Sequence, residues 1–171
     1  MIKTYSFKPY EDNSIVEYLQ DYIKSNPCCS QYPNCSHPPI QSDPNVFKVN
    51  NKTVKYIKKH YFKFLKDLYG PHKIKESKAW ILKTDKNKNV IGMWHKHFQE
   101  KDKDSIQVSG ICYLTPTKIG TEFNLEHFKI YIKPINYTWY LWDSKYLHRP
   151  MEGIQNTDRV ILATQTVLNE C

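Results

Sequence analysis

Arginine is almost absent from this chain. Of its 25 basic residues only two are Arg, at positions 149 and 159, so lysine serves wherever a plain cation suffices. An arginine offers a planar, always-charged fork that can grip a carboxylate at two points, so the two places where it stands need a reason. Long apolar runs are missing too. Nowhere do about 18 apolar residues follow one another, as a membrane span requires, and "MIKTYSFKPYEDN" has no continuous apolar stretch of the kind that opens a secretory signal. A soluble, cytoplasmic protein without a membrane partner is the expectation. The five cysteines, at 28, 29, 35, 112 and 171, are odd in number and two are adjacent. That argues against a disulfide framework and for reduced thiols. Absent as well are G-x-S-x-G, the P-loop, G-x-G-x-x-G and H-E-x-x-H, and with them the hydrolase, nucleotide and zinc-protease sites those motifs build.

What is present suits a packed globular protein. The 171 residues are 40% hydrophobic and 14% aromatic, with thirteen Tyr and four Trp, enough to bury a sizeable core in a single domain spanning 1–171. The net charge of +8 permits a polyanionic partner. The lysines, however, are spread through every segment and mixed with asparagine, which reads as a solvated surface, and nucleic acid is the disfavoured partner.

Periodicity divides the chain. "SIVEYLQDYIKS" has apolar residues at helical spacing behind Ser14 and Glu17, a capping-box pair, and predicts a helix over 14–25. "PCCSQYPNCSHPPIQSDP" has no period and reads as a loop. In "NNKTVKYIKKHYFKFLKDLYG", apolar positions 54, 57, 61, 64, 65 and 68 share a face, Asn51 can cap the start and Gly70 suits the end. From residue 77 the pattern turns to short β-rich runs: "SKAWILKT" and "VIGMWHKH" flanking "DKNKN" as a hairpin, then "QVSGICYL", "FKIYIK", "TWYLW" and "RVILATQTVL". Helical support and loop over 1–76, followed by a mostly antiparallel sheet structure over 77–171, is an α+β fold whose helices brace one side of a sandwich or barrel.

"MWHKHF" carries the first chemical signal. Alternation puts His95 and His97 on one strand face, where two imidazoles can chelate one metal ion. His148 follows beyond the acidic turn of "YLWDSKYLHRP", and Arg159 opens the last strand. "HKHFQEKDKDSIQVSGICYLTPTKIGTEF" and "INYTWYLWDSKYLHRPMEGIQNTDRVILAT" together resemble the metal-binding and closing strands of the 2-oxoglutarate/Fe(II) oxygenases, across about residues 77–168. The resemblance implies a double-stranded β-helix, a jelly-roll barrel. It implies Fe(II) as metal, 2-oxoglutarate and O2 as co-substrates, and ascorbate as a further candidate cofactor. By position, His95 and His148 match iron ligands, Arg159 the anchor of the keto acid's distal carboxylate, and Tyr113 of "SGICYL" a tyrosine that bonds the same carboxylate. No catalytic residue beyond the metal ligands is implied. Position 97 departs from the pattern, which has Asp or Glu there. Either His97 ligates as a neutral third donor, or His97 is the first His and Gln99 stands third; the first register is preferred because Gln is the poorer ligand.

The activity implied is hydroxylation of a C–H bond in a peptidyl residue such as proline, or in a small molecule, with release of succinate and CO2. The closing strand lacks the R-x-N-x-T-x-R pattern of base-demethylating relatives, which disfavours a nucleic-acid demethylase. A cupin-like jelly roll holding another metal on three histidines, without the keto acid or without catalysis, is the alternative from a different class. Cys28, Cys29, Cys35 and His37 offer zinc-compatible donors but lack a C-x-x-C bite. His60, His72 and His127 have no assembled partners and read as structural.

Overall fold

The computed structural model describes residues 1–9, 14–27 and 40–169. Two helices form where the spacing predicts them, α1 at Ser14–Ser25 and α2 at Lys52–Tyr69. The Asn51 side chain accepts from the backbone N–H groups of Thr53 (2.8 Å) and Val54 (3.2 Å), satisfying two donors that the first turn would leave orphaned. Gly70 closes α2 at φ 76, a conformation that costs a glycine little. Val54, Ile57, Tyr61, Phe64 and Leu65 form the buried stripe of α2.

The strands, in chain order, are β1 (Lys3–Ser6), β2 (Ile40–Gln41), β3 (Lys73–Thr84), β4 (Asn89–Val90), β5 (Ile106–Tyr113), β6 (Thr121–Leu125), β7 (Phe128–Ile132), β8 (Thr138–Asp143), β9 (Leu147–Pro150), β10 (Gly153–Ile154) and β11 (Arg159–Asn169). Six of them make a major sheet in the order β1-β8-β5-β11-β3-β2, with antiparallel pairing throughout. Its central strands are buried on both faces, so they read as nearly continuous apolar runs. Alternation still sorts their residues: Val108, Cys112, Trp139, Leu141, Val160 and Leu162 share one cluster with both helices, while Ile111, Tyr113, Tyr140, Trp142 and Ile161 form a second cluster on the opposite face.

Facing that second cluster lies a smaller layer. β7-β6-β9 form one sheet and β10-β4 another. The two are joined by chain continuity from β9 to β10 and by an isolated bridge between His95 and His148. Here the structure corrects the predicted hairpin. "SKAWILKT" and "VIGMWHKH" do not pair, because both edges of β3 are already taken by β11 and β2. Instead the chain turns at Asn87 (φ 61) and crosses to the small layer, where β4 pairs with β10. Strands also begin earlier than residue 77: β3 starts at Lys73, and β1 and β2 fall in the stretch predicted to hold only helices and loop. Most of the proline- and cysteine-rich loop, residues 28–39, lies outside the described residues.

Candidate metal centre

Three imidazoles converge between the two layers. His148 sits on β9, and His95 is held opposite it by two backbone bonds, His95 N–H to His148 O (3.0 Å) and His148 N–H to His95 O (2.9 Å). His97 follows two residues on, on the same face, its N–H donating to Ser144 O (3.2 Å). The ring centroids lie 5.0 Å apart for His95 and His97, 4.4 Å for His95 and His148, and 5.2 Å for His97 and His148. One nitrogen from each ring lies within 4.8 Å of those of the other two, a spread that small side-chain rotations close onto a single first-row cation.

Hydrogen bonding aims two of the rings. His95 Nδ1 lies 2.8 Å from Met93 O, and His148 Nδ1 lies 2.9 Å from Tyr146 O. A carbonyl only accepts, so each Nδ1 carries the proton and each Nε2 keeps its lone pair for a metal. His97 and His148 resist protonation. Burial, reinforced by the neighbouring His95, pulls His97 down to about 4 and His148 to about 3 from the usual 6.5. Two imidazolium ions as close as these rings would repel by about 4 kcal/mol at an effective dielectric near 20. The metal-free protein is therefore expected to lose stability as pH falls from 6.5 toward 4. In that window the unfolded chain takes up protons at positions 97 and 148 that the folded chain refuses. Thermal unfolding midpoints measured at pH 7 and pH 4.5 check this, and a flatter profile is expected for His148→Asn.

Beside the imidazoles lies a cavity of about 610 Å³. Arg159 lines it, 3% exposed. The guanidinium donates through Nε to Ile119 O at 3.3 Å and lies 5.7 Å from the centroid of Tyr113. Its Nη2 has no partner, and no carboxylate pairs with it among the described residues. Burial pulls its pKa down, yet an arginine stays charged. Acids close in sequence or strand register are engaged elsewhere: Asp158 pairs with Lys83 and accepts from the Lys86 N–H, and Glu152 and Glu122 both pair with Arg149. No Asp, Glu or Lys lines the cavity among the described residues. An unpaired buried cation costs several kcal/mol, and an anion entering the cavity would relieve that cost.

No protein-family model matches the sequence, and no curated protein is similar to it. Solved structures, in contrast, match over nearly the whole chain. A prolyl hydroxylase from Trichoplax adhaerens, in complex with a peptide fragment of the hypoxia inducible factor oxygen degradation domain, is 13% identical with a TM-score of 0.64, covering 98% of this chain and 83% of that one. A 2OG-Fe(II) oxygenase family oxidoreductase from Burkholderia pseudomallei is 10% identical at TM-score 0.61, covering 97% and 84%. A viral collagen prolyl hydroxylase from Paramecium bursaria Chlorella virus-1, in a 2OG complex, is 12% identical at TM-score 0.59, covering 99% and 96%. The fold is that of the 2OG-Fe(II) oxygenases. Within this oxygenase fold, the sequence-predicted positions 95, 97, 148 and 159 all border one cavity. Gln99 does not line it; its backbone N–H and carbonyl are bound by the Gln107 side chain. Tyr113 is fully buried beneath Arg159, its hydroxyl 2.9 Å from Thr121 Oγ1, and it is Thr121 that lines the cavity. Sequence reasoning overlooked Thr121, although it stands in the quoted "IGTEF". It also overlooked Trp80, whose ring meets His97 edge-on at 5.5 Å, and Trp142, which meets His148 the same way at 5.0 Å. Cys28, Cys29, Cys35 and His37, the zinc candidates, lie outside the described residues.

Proposed function

We propose that this chain is a single-domain, 2-oxoglutarate- and Fe(II)-dependent dioxygenase over 1–171, a double-stranded β-helix braced by α1 and α2. It hydroxylates a C–H bond of a peptidyl residue, proline foremost, or of a small molecule. The observation that carries this reading is a buried, unpaired guanidinium in the same cavity as three converging imidazoles. His95, His97 and His148 would hold the iron, since neutral imidazoles suit Fe(II) among first-row cations. Arg159 would take the distal carboxylate of 2-oxoglutarate, with Thr121 and Tyr113 beside it, because charge-assisted pairing suits a fork with a free Nη2. When bound, the iron supplies the activation of O2 that couples decarboxylation of the keto acid, to succinate and CO2, with transfer of one oxygen to substrate.

The chain's own contribution is orientation and exclusion of water. The Nδ1 anchors on Met93 O and Tyr146 O hold His95 and His148 with their Nε2 lone pairs free. Trp80, Ile111, Trp142 and Ile161 wall the cavity with apolar surface, which strengthens electrostatic contacts inside it. The prolyl preference is supported by the prolyl hydroxylases among the matching structures.

The missing carboxylate favours a second reading, a three-His metal protein of cupin-like kind that uses no keto acid; Arg159 opposes it. Anaerobic titration of the purified protein with Fe(II) and then 2-oxoglutarate separates the two. The weak visible absorption of an iron–keto-acid chelate is expected in wild type. Iron binding without that band, and without any effect of 2-oxoglutarate on iron affinity, would favour the second reading. The substrate class is tested by following succinate release over peptide and small-molecule panels.

A further inference from the structure

The segment that leads into His95 and His97 is poorly held by its own backbone, although backbone bonds anchor both histidines themselves. It runs antiparallel to residues 146–154. Asn89 pairs with Ile154, Val90 with Gly153, and His95 with His148, all in one unbroken register. Between those anchor points the ladder fails for a chemical reason. Pro150 stands opposite Met93 in this register and has no N–H to donate. Gly92 lies against the Pro150 ring so closely that an added Cβ would collide with it. The middle of the strand, residues 91–94, therefore belongs to no regular pairing.

The same register puts Trp94 directly opposite Arg149, on the face turned away from the imidazoles. These two side chains meet: the guanidinium carbon lies 4.8 Å from the indole centroid. Arg149 is itself fixed at two points, Nε to Glu122 (3.0 Å) and Nη1 to Glu152 (3.0 Å). Lys129 adds a weaker approach to the same indole, at 5.8 Å. Only a planar guanidinium can stack on a ring while both of its edges donate to carboxylates. That is a reason for one of the chain's two arginines to stand at this position rather than another lysine.

We infer that Trp94 and Arg149 are positioning residues for the metal centre, a clamp on the outer face that holds the His95–His97 strand in register across the gap Pro150 leaves. A slip of one residue would turn both imidazoles to the outer face, so the clamp acts on metal binding through the strand and touches no ligand atom. The inference rests on the metal reading proposed above. The test is titration of purified, metal-free protein with Co(II) alone, read by its ligand-field absorption and by calorimetry. Wild type, Trp94→Ala, Trp94→Phe and Arg149→Lys are compared at 25 °C, with far-UV circular dichroism confirming that each metal-free variant is folded. Co(II) affinity is expected to fall about tenfold in Trp94→Ala and Arg149→Lys, the scale of effect seen when a metal ligand's outer support is lost. Trp94→Phe, which keeps an aromatic face, is expected to stay within about threefold of wild type. Unchanged affinity in folded Trp94→Ala and Arg149→Lys overturns the clamp alone. Failure of wild type to bind Co(II) overturns the metal reading, and the clamp with it.

Discussion

Arg159→Met is expected to weaken 2-oxoglutarate binding sharply and at the same time to make the metal-free protein more stable. Both effects have one cause. The guanidinium is 3% exposed with its Nη2 unpaired, so the fold bears an uncompensated charge; methionine fills a similar volume without it. The bond from Nε to Ile119 O, at 3.3 Å, is a long one, so its loss offsets only part of the gain. Removing one partner of a buried, hydrogen-bonded charge pair typically costs about 2–5 kcal/mol of binding. At 1.4 kcal/mol per factor of ten, that is a loss of roughly 30-fold or more in 2-oxoglutarate affinity. Calorimetric titration of the metal-loaded variant and its metal-free unfolding midpoint measure the two effects. A variant that lost stability and kept affinity would remove Arg159 from the proposed function.

His148→Ala has the largest expected effect on the metal. His148 is 5% exposed, its Nδ1 is fixed on Tyr146 O, and its ring lies against Phe123, centroids 5.8 Å apart, and edge-on to Trp142. It is the most constrained of the three donors. Loss of a support behind a ligand costs about 10–100-fold in metal affinity; loss of the ligand itself is expected to exceed the upper end of that range. Co(II) or anaerobic Fe(II) titration reads this directly, and full retention of affinity would remove His148 from the ligand set. His97→Asp makes a useful contrast, because it restores the negative charge that the matching sequence pattern carries there. It is expected to bind Fe(II) at least as tightly as wild type.

The two helices were legible because their signals are local. Asn51, the apolar stripe of α2 and Gly70 act within a few residues of one another, and the structure uses each as the spacing predicts. β1 left no such signal: "KTYS" is four residues, mostly exposed, and exists because β8 offers it an edge. "VIGMWHKH" was legible as an extended segment with His95 and His97 on one face, yet its partner was misread. Alternation says which residues share a face and nothing about which sheet edge is free. The predicted hairpin failed because β11 and β2 occupy both edges of β3, a fact of topology.

Sequence alone determined the candidate donors: three histidines, a scarce arginine and the strand pattern around them, because residue type and alternation are properties of the chain itself. Only the tertiary structure decided that these groups meet, that Gln99 stays out, and that Arg159 is buried without a carboxylate while Glu122 and Glu152 go to Arg149. Convergence and pairing depend on which distant segments lie side by side. Desolvation, which holds His97 and His148 neutral and leaves the guanidinium in need of an anion, exists only once the two layers have closed over the site.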